Sequence, residues 1–590
     1  MEDFRLFDLL HNLKQKPLKE DALAAKENGK WHKYSTQEYI DTVNFLSYAF
    51  IHVGILPGDK IGLIANNRPE WNFVDYACLQ TGAISTPLYP TISDNDLKHV
   101  IKDAGVKYFF VANEALYKKI KDASENSTVK EIFSFDPVAG VRSLKELIEI
   151  GKNDPQEKKL EELKSAIRPK DLATIIYTSG TTGNPKGVML SHWNFISNVQ
   201  ATKDLCPFGD DWRALSFLPL NHVYERMLSY LYVSKTVSVY YAESLDTIGD
   251  NLKEVKPHIF VTVPRLLEKV YEKIVSTGAK LTGIKKMLFF WALNLGLRYE
   301  QHGKNGLWYE FQLKIANKLI FSKWREALGG NIVGIVSGGS ALQPRLARIF
   351  HSARIKVLEG YGLTETSPVI AVNNYDDSKI KIGTVGPVIN NVQLKFGEDG
   401  EICVKGPNVM MGYYNHPELT RETIDDDGWL HTGDIGQMED GKFLRITDRK
   451  KEMFKTSGGK YITPQIIENR LKESRFIEQA MVVGENEKFP AAFIVPAFIF
   501  LKEWCAKHDI PFTSNAEIVK NQRVIDRVMK EVETMNKSLA HYEQLKKIEL
   551  LPKEWSIEGG EMTPKLSLKR KIIMANYKAA YDKIYQPSTI

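Results

Sequence analysis

The sequence has few cysteines and no pair spaced for metal binding. Its four cysteines, Cys78, Cys206, Cys403 and Cys505, lie far apart and form no CxxC. That spacing argues against a zinc site and against the disulfide framework of a small secreted domain. It predicts buried or free thiols in a reducing compartment.

Long hydrophobic runs are also missing. No stretch approaches the roughly 18 apolar residues that a membrane-spanning helix needs. The acidic start Met1-Glu2-Asp3 is not followed by the apolar run of a signal peptide. We therefore predict a cytoplasmic protein without a spanning helix.

The sequence also has only a small excess of positive over negative charge. The formal net charge is +6 over 590 residues, which by itself argues neither for nor against nucleic acid. We expect small-molecule substrates and no nucleic-acid partner, and the oligomeric state stays open. The length predicts two or more domains, because a single core rarely grows to this size.

What the sequence does contain is a loop rich in glycine and hydroxyl groups after a short apolar strand that ends near Tyr177. Such a loop brings backbone N–H groups close to phosphate oxygens, and Lys186 adds a mobile positive charge. It is not a Walker A loop, because Lys186 lies between Pro185 and Gly187. A polar surface loop is the alternative. The candidate phosphate contacts are Thr178, Ser179, Gly180, Thr181, Thr182, Gly183 and Lys186.

Before this loop, strands and helices alternate. Apolar runs predict strands at 60–65, 84–88 and 107–111, and helical spacing predicts helices at 70–79 and 94–103. This rhythm indicates βαβ units and a largely parallel sheet, so we predict an α/β fold.

A second glycine turn follows a predicted strand at 332–336 and precedes a helix that begins at Pro344. Strand, glycine turn and helix form the geometry that binds nucleotides at the carboxyl edge of a parallel sheet. The next strand, 354–358, leads into a segment with an aromatic, a hydroxyl and a carboxylate able to hold magnesium. Glu365 is alternatively a solvated loop acid. The candidates are Gly338, Gly339, Ser340, Gly360, Tyr361, Gly362, Thr364 and Glu365.

Residues 274–328 form an insertion rich in helix formers. Within it, the apolar run 287–293 is flanked by Lys285, Lys286 and Arg298. Too short to span a bilayer, it suits either a peripheral contact with a membrane surface or a buried helix of the insertion. The second alternative is favoured.

The last part of the chain changes in character. The pattern from Gly383 to Asp440 is short and β-like, and the charged run 448–452 marks a domain boundary. Beyond it, Lys455 and Gly458 belong to another glycine-lysine loop, and a small α+β domain follows.

These motifs together resemble the adenylate-forming enzyme superfamily, and within it the long-chain fatty acyl-CoA synthetases. Residues 177–187, 361–366, 428–434 and 448–452 match, in order, the phosphate loop, two core motifs and the hinge of that family. The resemblance covers nearly the whole chain. It implies an N-terminal domain of residues 1–447, with parallel-type sheets and a β-barrel-like part, and a mobile α+β C-terminal domain of residues 448–590. The hinge is expected near 448–453.

The resemblance also implies a reaction and its substrates. A fatty acid would be activated with ATP and Mg²⁺ to an acyl-adenylate, and coenzyme A would then take the acyl group. The phosphate loop would hold the β- and γ-phosphates, and Thr178 and Glu365 would fix magnesium. Gly338, Gly339 and Ser340 would line the adenine pocket, with Tyr361 stacking on the base. Thr364 would reach the α-phosphate, Asp434 and Arg449 the ribose, and His222 would gate the acyl pocket. A lone histidine such as His222 is otherwise more often structural.

One departure stands out near the C-terminus. Where the family places a catalytic lysine, alignment on the basic ending puts Ser567, whose short neutral hydroxyl cannot replace an ammonium group. Lys565 or Lys569 is the favoured substitute. The other interpretations are a slow enzyme that relies on Mg²⁺ and Lys186, and a protein that binds acyl or nucleotide ligands without catalysis. Another carboxylic acid, or an acyl carrier protein as acceptor, also remains open.

Overall fold

A computed structural model describes residues 4–178, 184–556, 558–562 and 568–586. Predicted site residues Ser179, Gly180, Thr181, Thr182, Gly183 and Lys565, together with Ser567, lie outside the described residues. The structure is of the α/β class, as predicted, with a large N-terminal part and a smaller C-terminal part.

The first large sheet contains the predicted βαβ units. The strands predicted before the phosphate loop appear at Lys60–Ile64, Ile84–Leu88 and Val106–Val111, and they pair in parallel. They are largely buried, as expected of a parallel sheet covered on both faces. In spatial order the sheet runs Gly412–Tyr413, Lys186–Ser191, Leu172–Thr178, Ile84–Leu88, Lys60–Ile64, Val106–Val111, Glu131–Ser134.

The second large sheet carries the other nucleotide-type turn. Its central strands are parallel, and Gly334–Ser337 lies between Ile259–Thr262 and Lys356–Gly362. Both strands predicted here, 332–336 and 354–358, begin later and end later in the structure. The spatial order is Val369–Val372, Lys356–Gly362, Gly334–Ser337, Ile259–Thr262, Arg213–Ser216, Ser238–Tyr241, Leu23–Glu27, Lys30–Tyr34.

Helices cover both sheets. The predicted helices 70–79 and 94–103 are Pro69–Thr81 and Asp94–Ala104, which end at left-handed Gly82 and Gly105. The other helices of the N-terminal part are Leu6–His11, Thr36–His52, Glu114–Ala123, Leu144–Asn153, Glu157–Ala166, His192–Thr202, Val223–Ser234, Ile248–Val255, Pro264–Ala279, Gly283–Leu297, Leu307–Ala316, Ser322–Ala327, Pro344–Ser352 and Pro417–Thr423.

The insertion is helical, as predicted. The apolar run 287–293 lies in the helix Gly283–Leu297, where Phe289, Ala292 and Leu293 are buried, while Ile284 and Met287 are exposed. The favoured prediction, a buried helix, is therefore correct for one face of this helix, while the other face is exposed. A π-helical stretch, Asn317–Phe321, joins Leu307–Ala316 to Ser322–Ala327.

An antiparallel sheet follows and supplies the β-rich part predicted between Gly383 and Asp440. Its strands are Gln393–Phe396, Glu401–Lys405, Leu430–Glu439 and Phe443–Arg449.

The C-terminal part is α+β. Its sheet contains Ile477–Val483, Ala491–Pro496 and Lys547–Leu550, next to a hairpin of Phe454–Lys455 and Tyr461–Ile462. Its helices are Pro464–Leu471, Phe498–Lys507, Asn515–Ile518, Gln522–Asn536, Arg570–Asn576 and Lys578–Tyr585. All four cysteines of the chain are buried and free, which agrees with the prediction from their spacing.

Within the described ranges, no helix is both long and apolar enough to cross a membrane.

Candidate active site

The two ends of the predicted phosphate loop are fixed by a β-hairpin. Strand Leu172–Thr178 pairs antiparallel with Lys186–Ser191, and Thr178 lies directly opposite Lys186. The Nε2 atom of His99 lies 3.1 Å from the carbonyl oxygen of Pro185. The hairpin therefore sets Thr178 and Lys186 side by side at the base of the loop.

Tyr413 connects Lys186, which follows the predicted phosphate loop, to Glu365 in the motif of residues 361–366. The Nζ atom of Lys186 lies 5.8 Å from the centre of the Tyr413 ring. The Tyr413 hydroxyl donates a hydrogen bond of 2.8 Å to Oε1 of Glu365. The backbone supports this arrangement, because Met410 N donates to the Glu365 carbonyl oxygen and Tyr414 N to that of Gly187. A cation and a carboxylate from distant parts of the sequence thus meet through one tyrosine.

These groups suit magnesium bound together with a polyphosphate. Mg²⁺ prefers hard oxygen ligands and is usually held by one or two carboxylates plus substrate phosphates. Glu365 is half-buried, and the Thr178 side chain is also partly accessible. Among the described residues, no group of three or more His, Cys, Asp or Glu side chains could hold a metal by itself. The Glu365 carboxylate and the Thr178 hydroxyl would bind the ion only in company with the nucleotide.

A second polar group unites three predicted residues. The Tyr361 hydroxyl donates to Oδ2 of Asp434 at 2.7 Å, and Nε of Arg449 lies 3.2 Å from Oδ1. Asp434 and Arg449 face each other across adjacent strands. Burial raises the pKa of Asp434, while the Arg449 guanidinium and the tyrosine hydroxyl act in the opposite direction. A carboxylate in this setting can accept hydrogen bonds from a ribose diol.

The glycine turn after Gly334–Ser337 has the predicted form. Gly339 has φ +83°, and a Cβ on Gly338 would lie 3.2 Å from the ring of Tyr224. Ser340 is exposed beside them. Gly338 therefore packs closely against Tyr224, while Gly339 and Ser340 lie exposed at the surface of the turn.

Close approach also explains the glycine that ends the next strand. A Cβ on Gly362 would lie 1.8 Å from the carbonyl oxygen of Pro368. Thr364 is buried in the short turn Thr364–Thr366 that follows, and this turn carries Glu365. Glycine at position 362 lets the turn fold back onto the strand.

His222 has a local structural role. Its Nδ1 accepts a hydrogen bond of 3.2 Å from Tyr224 N, which caps the helix Val223–Ser234. The cap aims Tyr224 towards the glycine turn. This contact neither requires nor opposes a gating role.

The predicted hinge contains a buried acid, Asp448, with one carboxylate oxygen that has no hydrogen-bond partner among the described residues. Asp448 is fully buried; its Oδ1 accepts from Arg449 N at 2.6 Å, and its Oδ2 has no partner among the described residues. Burial raises the pKa of Asp448 to about 7. Arg570 lies nearby but is engaged by Glu452 and Glu468.

The structure places three further predicted residues on the C-terminal part. Lys455 and Gly458 belong to its hairpin, where Nζ of Lys455 lies 4.6 Å from the Tyr461 ring centre. Lys569 is exposed, and its backbone N donates to the Glu561 carbonyl oxygen at 2.8 Å. Met562 and Leu568, which flank Lys565 in the sequence, form an antiparallel bridge.

Sequence reasoning missed Tyr413. The signal was the short sequence Gly412-Tyr413-Tyr414, whose first two residues form an edge strand beside Val188 and Met189. Only this pairing shows that the tyrosine reaches Lys186 and Glu365.

Comparison with known families gives two matches in chain order. Residues 9–414 match the profile described as AMP-binding enzyme, and residues 452–589 match that described as AMP-binding enzyme C-terminal domain.

Relatives with similar sequences span nearly the whole chain. A long-chain-fatty-acid–CoA ligase, FadD15 of Mycobacterium bovis, is 31% identical over 566 residues, covering 95% of this chain and 93% of the relative. Long-chain-fatty-acid–CoA ligase 5 of Rattus norvegicus is 33% identical over 596 residues, covering 94% and 85% respectively.

Solved structures show the same fold at lower identity. An anthranilate CoA ligase in complex with anthranoyl-AMP has a TM-score of 0.73 at 16% identity, covering 98% of each chain. The o-succinylbenzoate coenzyme A synthetase of Bacillus subtilis, in complex with ATP and magnesium, has a TM-score of 0.68 at 19% identity, covering 96% of this chain and 99% of its own.

Proposed function

The chain belongs to the AMP-binding enzyme family, and we propose that it joins a long-chain fatty acid to coenzyme A at the expense of ATP. The coarser reaction class, ligation of a carboxylic acid to coenzyme A through an adenylate, follows from the family and from relatives that cover most of the chain. The long acyl chain is the finer proposal, supported by the names of those relatives.

The observation that carries the chemistry is the contact between Lys186, Tyr413 and Glu365 at the base of the phosphate loop. In the first step, a carboxylate oxygen of the acid attacks the α-phosphorus of ATP, and pyrophosphate leaves. Both reactants are anions, so the site must offset their repulsion and hold them in line. Bound magnesium would supply positive charge next to the phosphates.

The remaining residues position the nucleotide. We assign the ribose hydroxyls to Asp434 with Arg449, and the α-phosphate to the Thr364 hydroxyl. The adenine would lie against Gly338, Gly339 and Ser340, with Gly360, Tyr361 and Gly362 on its other side. Tyr361 would act as an aromatic neighbour whose hydroxyl fixes Asp434 at the same time.

In the second step, the sulfur of coenzyme A attacks the carbonyl carbon of the acyl-adenylate, and AMP leaves. We propose a domain boundary at 447/448 and a rotation about Asp448 between the two steps. The rotation would bring Lys455 and Gly458 towards the site during thioester formation. His222 would gate the acyl pocket at the start of its helix.

The catalytic lysine is assigned to Lys565 or Lys569, because Ser567 occupies the expected position. We expect Lys565→Ala or Lys569→Ala to depress acid-dependent exchange of pyrophosphate into ATP far more than thioester formation from preformed acyl-AMP. Lys571→Ala, in the same basic run, serves as the control. Normal exchange in both single variants and in the double variant would remove the assignment.

A panel of acids tests the substrate. Pyrophosphate release should rise from short to long unbranched acids and stay low with aromatic acids, in the presence of ATP, Mg²⁺ and coenzyme A. Replacing coenzyme A by an acyl carrier protein should abolish product formation while leaving exchange intact. A preference for an aromatic or short acid, or for the carrier protein, would replace the proposed activity within the same family.

A further inference from the structure

The insertion exposes a row of apolar side chains. Along the run from Leu307 to Phe321, the exposed apolar residues are Leu307, Trp308, Phe311, Ile315 and Leu319, with 91% of Leu307 and 71% of Trp308 accessible. Positions 308, 311, 315 and 319 recur every three or four residues, so they share one helical face. Large apolar side chains grouped on one exposed face indicate an interaction surface rather than scattered surface residues.

The opposite face of this run anchors it firmly. Tyr309, Leu313 and Ala316 are buried in the core of the insertion. The Tyr309 hydroxyl donates a hydrogen bond of 2.6 Å to the Leu295 carbonyl oxygen on the neighbouring helix. That helix adds Ile284 and Met287 to the exposed apolar surface. Both helices therefore pack firmly against the core of the insertion through one face, and the exposed apolar residues lie on the other face.

Positive charge surrounds the row. Between residues 280 and 323 the sequence has eight lysines and arginines and two glutamates, a net charge of +6 that equals the formal charge of the whole chain. All eight basic side chains are exposed, and Lys314 and Lys318 lie among the apolar residues. The rest of the chain is therefore neutral in sum, and the charge is concentrated here.

We propose that this surface, the 284–319 face, lies flat on a membrane that contains anionic lipid. Aromatic and aliphatic side chains on one face with lysines beside them suit the boundary between headgroups and acyl chains. A second copy of the chain fits the same face poorly, because a two-fold interface would set the basic segment against itself.

Sedimentation with lipid vesicles tests the proposal. The full chain should bind vesicles of phosphatidylcholine with phosphatidylglycerol more tightly than vesicles of phosphatidylcholine alone, and added salt should weaken the difference. Trp308→Ser with Phe311→Ser should weaken binding to both about tenfold or more, because two apolar side chains no longer enter the lipid. Lys314→Glu with Lys318→Glu should mainly remove the preference for anionic vesicles.

The matched control replaces apolar residues of similar exposure elsewhere. Leu56 and Leu245 are 60% and 65% accessible, and Leu56→Ser with Leu245→Ser should bind vesicles like the unaltered protein. Thermal unfolding of each variant confirms that the fold is intact. The assay contains neither ATP nor acid, so its result is independent of the proposed activity.

Two outcomes would overturn the proposal. One is equal vesicle binding by the unaltered chain and the Trp308/Phe311 variant. The other is a change from dimer to monomer in sedimentation velocity on mutating this face, with vesicle binding absent throughout. That result would assign the face to a subunit interface.

Discussion

Arg226 and Arg449 each pair with an aspartate that also accepts a hydrogen bond from a tyrosine. In the first group, Arg226 pairs with Asp75, whose Oδ2 accepts from the Tyr230 hydroxyl at 2.6 Å. In the second, Arg449 pairs with Asp434, whose Oδ2 accepts from the Tyr361 hydroxyl. The chemical groups are the same, so their different roles must come from their surroundings.

The two groups differ in how far their arginine side chains are accessible to solvent. Arg226 is fully buried, and it also donates to the Tyr230 hydroxyl and to Thr174 and Ser85 on two strands of the first sheet. The Arg449 side chain is 49% accessible, at the edge of the antiparallel sheet. A closed group can only hold the fold together, whereas an open one can exchange a partner for a ligand. The first network is therefore structural, and the second is suited to binding.

The largest expected effect is a loss of stability when the buried pair of Arg226 and Asp75 is broken. Asp75→Ala leaves the Arg226 charge buried without its counter-ion, which should lower the free energy of unfolding by about 3–5 kcal/mol. Urea unfolding followed by circular dichroism measures it. Asp434→Ala is the comparison, because Arg449 can be hydrated when its partner is lost. Equal destabilisation by the two substitutions would erase the distinction between the groups.

The contact between Lys186, Tyr413 and Glu365 is open in the same sense, and it should respond in catalysis. Glu365→Ala removes a preorganised charge and should slow acid-dependent pyrophosphate exchange ~10²–10³-fold with little change in stability. Tyr413→Phe keeps the ring under Lys186 but frees the carboxylate, so a smaller loss of about tenfold is expected. Glu418→Ala, an exposed acid close by, serves as the control. Near-normal exchange in Glu365→Ala would take this residue out of the site.

Much of this site was predictable from the sequence because its residues lie in short, ordered motifs. Glu365, Asp434 and Arg449 are predicted as site residues from their neighbours in the chain, and the alternation of strands and helices before the loop is predicted from apolar spacing. Tyr413 was not, because its role depends on pairing with a strand more than 200 residues earlier. Arg226 was not either. Nothing local indicates a buried arginine that has one partner on its own helix and three on other segments.

The strand boundaries show a second limit. The run predicted as 332–336 begins at Gly334, because apolar residues continue outside the ladder where hydrogen bonding has not yet started. The exposed row in the insertion was also beyond prediction. Apolar residues at helical spacing indicate one face of a helix without showing whether that face meets the core.

A smaller effect, on ATP binding, is expected from a substitution at Asp434, the partner of the solvent-accessible Arg449. Asp434→Asn should raise the KM for ATP about 10- to 100-fold, the range expected for losing charged hydrogen bonds of 1.5–3 kcal/mol. Stability should be unchanged or slightly higher, because burial raises the pKa of Asp434 and the ionised form therefore opposes folding at neutral pH. Asp427→Asn, in an exposed turn, is the control. A loss of stability without a change in KM would make this group structural, like that of Arg226.

The smallest expected effect is a change of stability with pH at Asp448. Unlike Asp75 and Asp434, which each pair with an arginine and accept from a tyrosine on Oδ2, this buried acid has no partner on its Oδ2 among the described residues. Its carboxyl faces Glu452, Glu468 and Arg570, and burial raises its pKa to about 7. A pKa above the unfolded value means that the folded chain binds the proton more tightly. The contribution of Asp448 to the free energy of unfolding is therefore fully present below about pH 4, and it is lost as the pH rises through the folded pKa.

Between pH 6 and pH 8, the unaltered protein should therefore lose about 1 kcal/mol of stability relative to Asp448→Asn, whose amide does not titrate. The amide oxygen can still accept from Arg449 N, so this contact with the backbone is kept. Taking the difference between the two proteins at each pH cancels every other titrating group. Urea unfolding at several pH values measures it. Parallel curves for the two proteins would mean that Asp448 is ionised in the fold and that a cation compensates it, as Arg226 compensates Asp75.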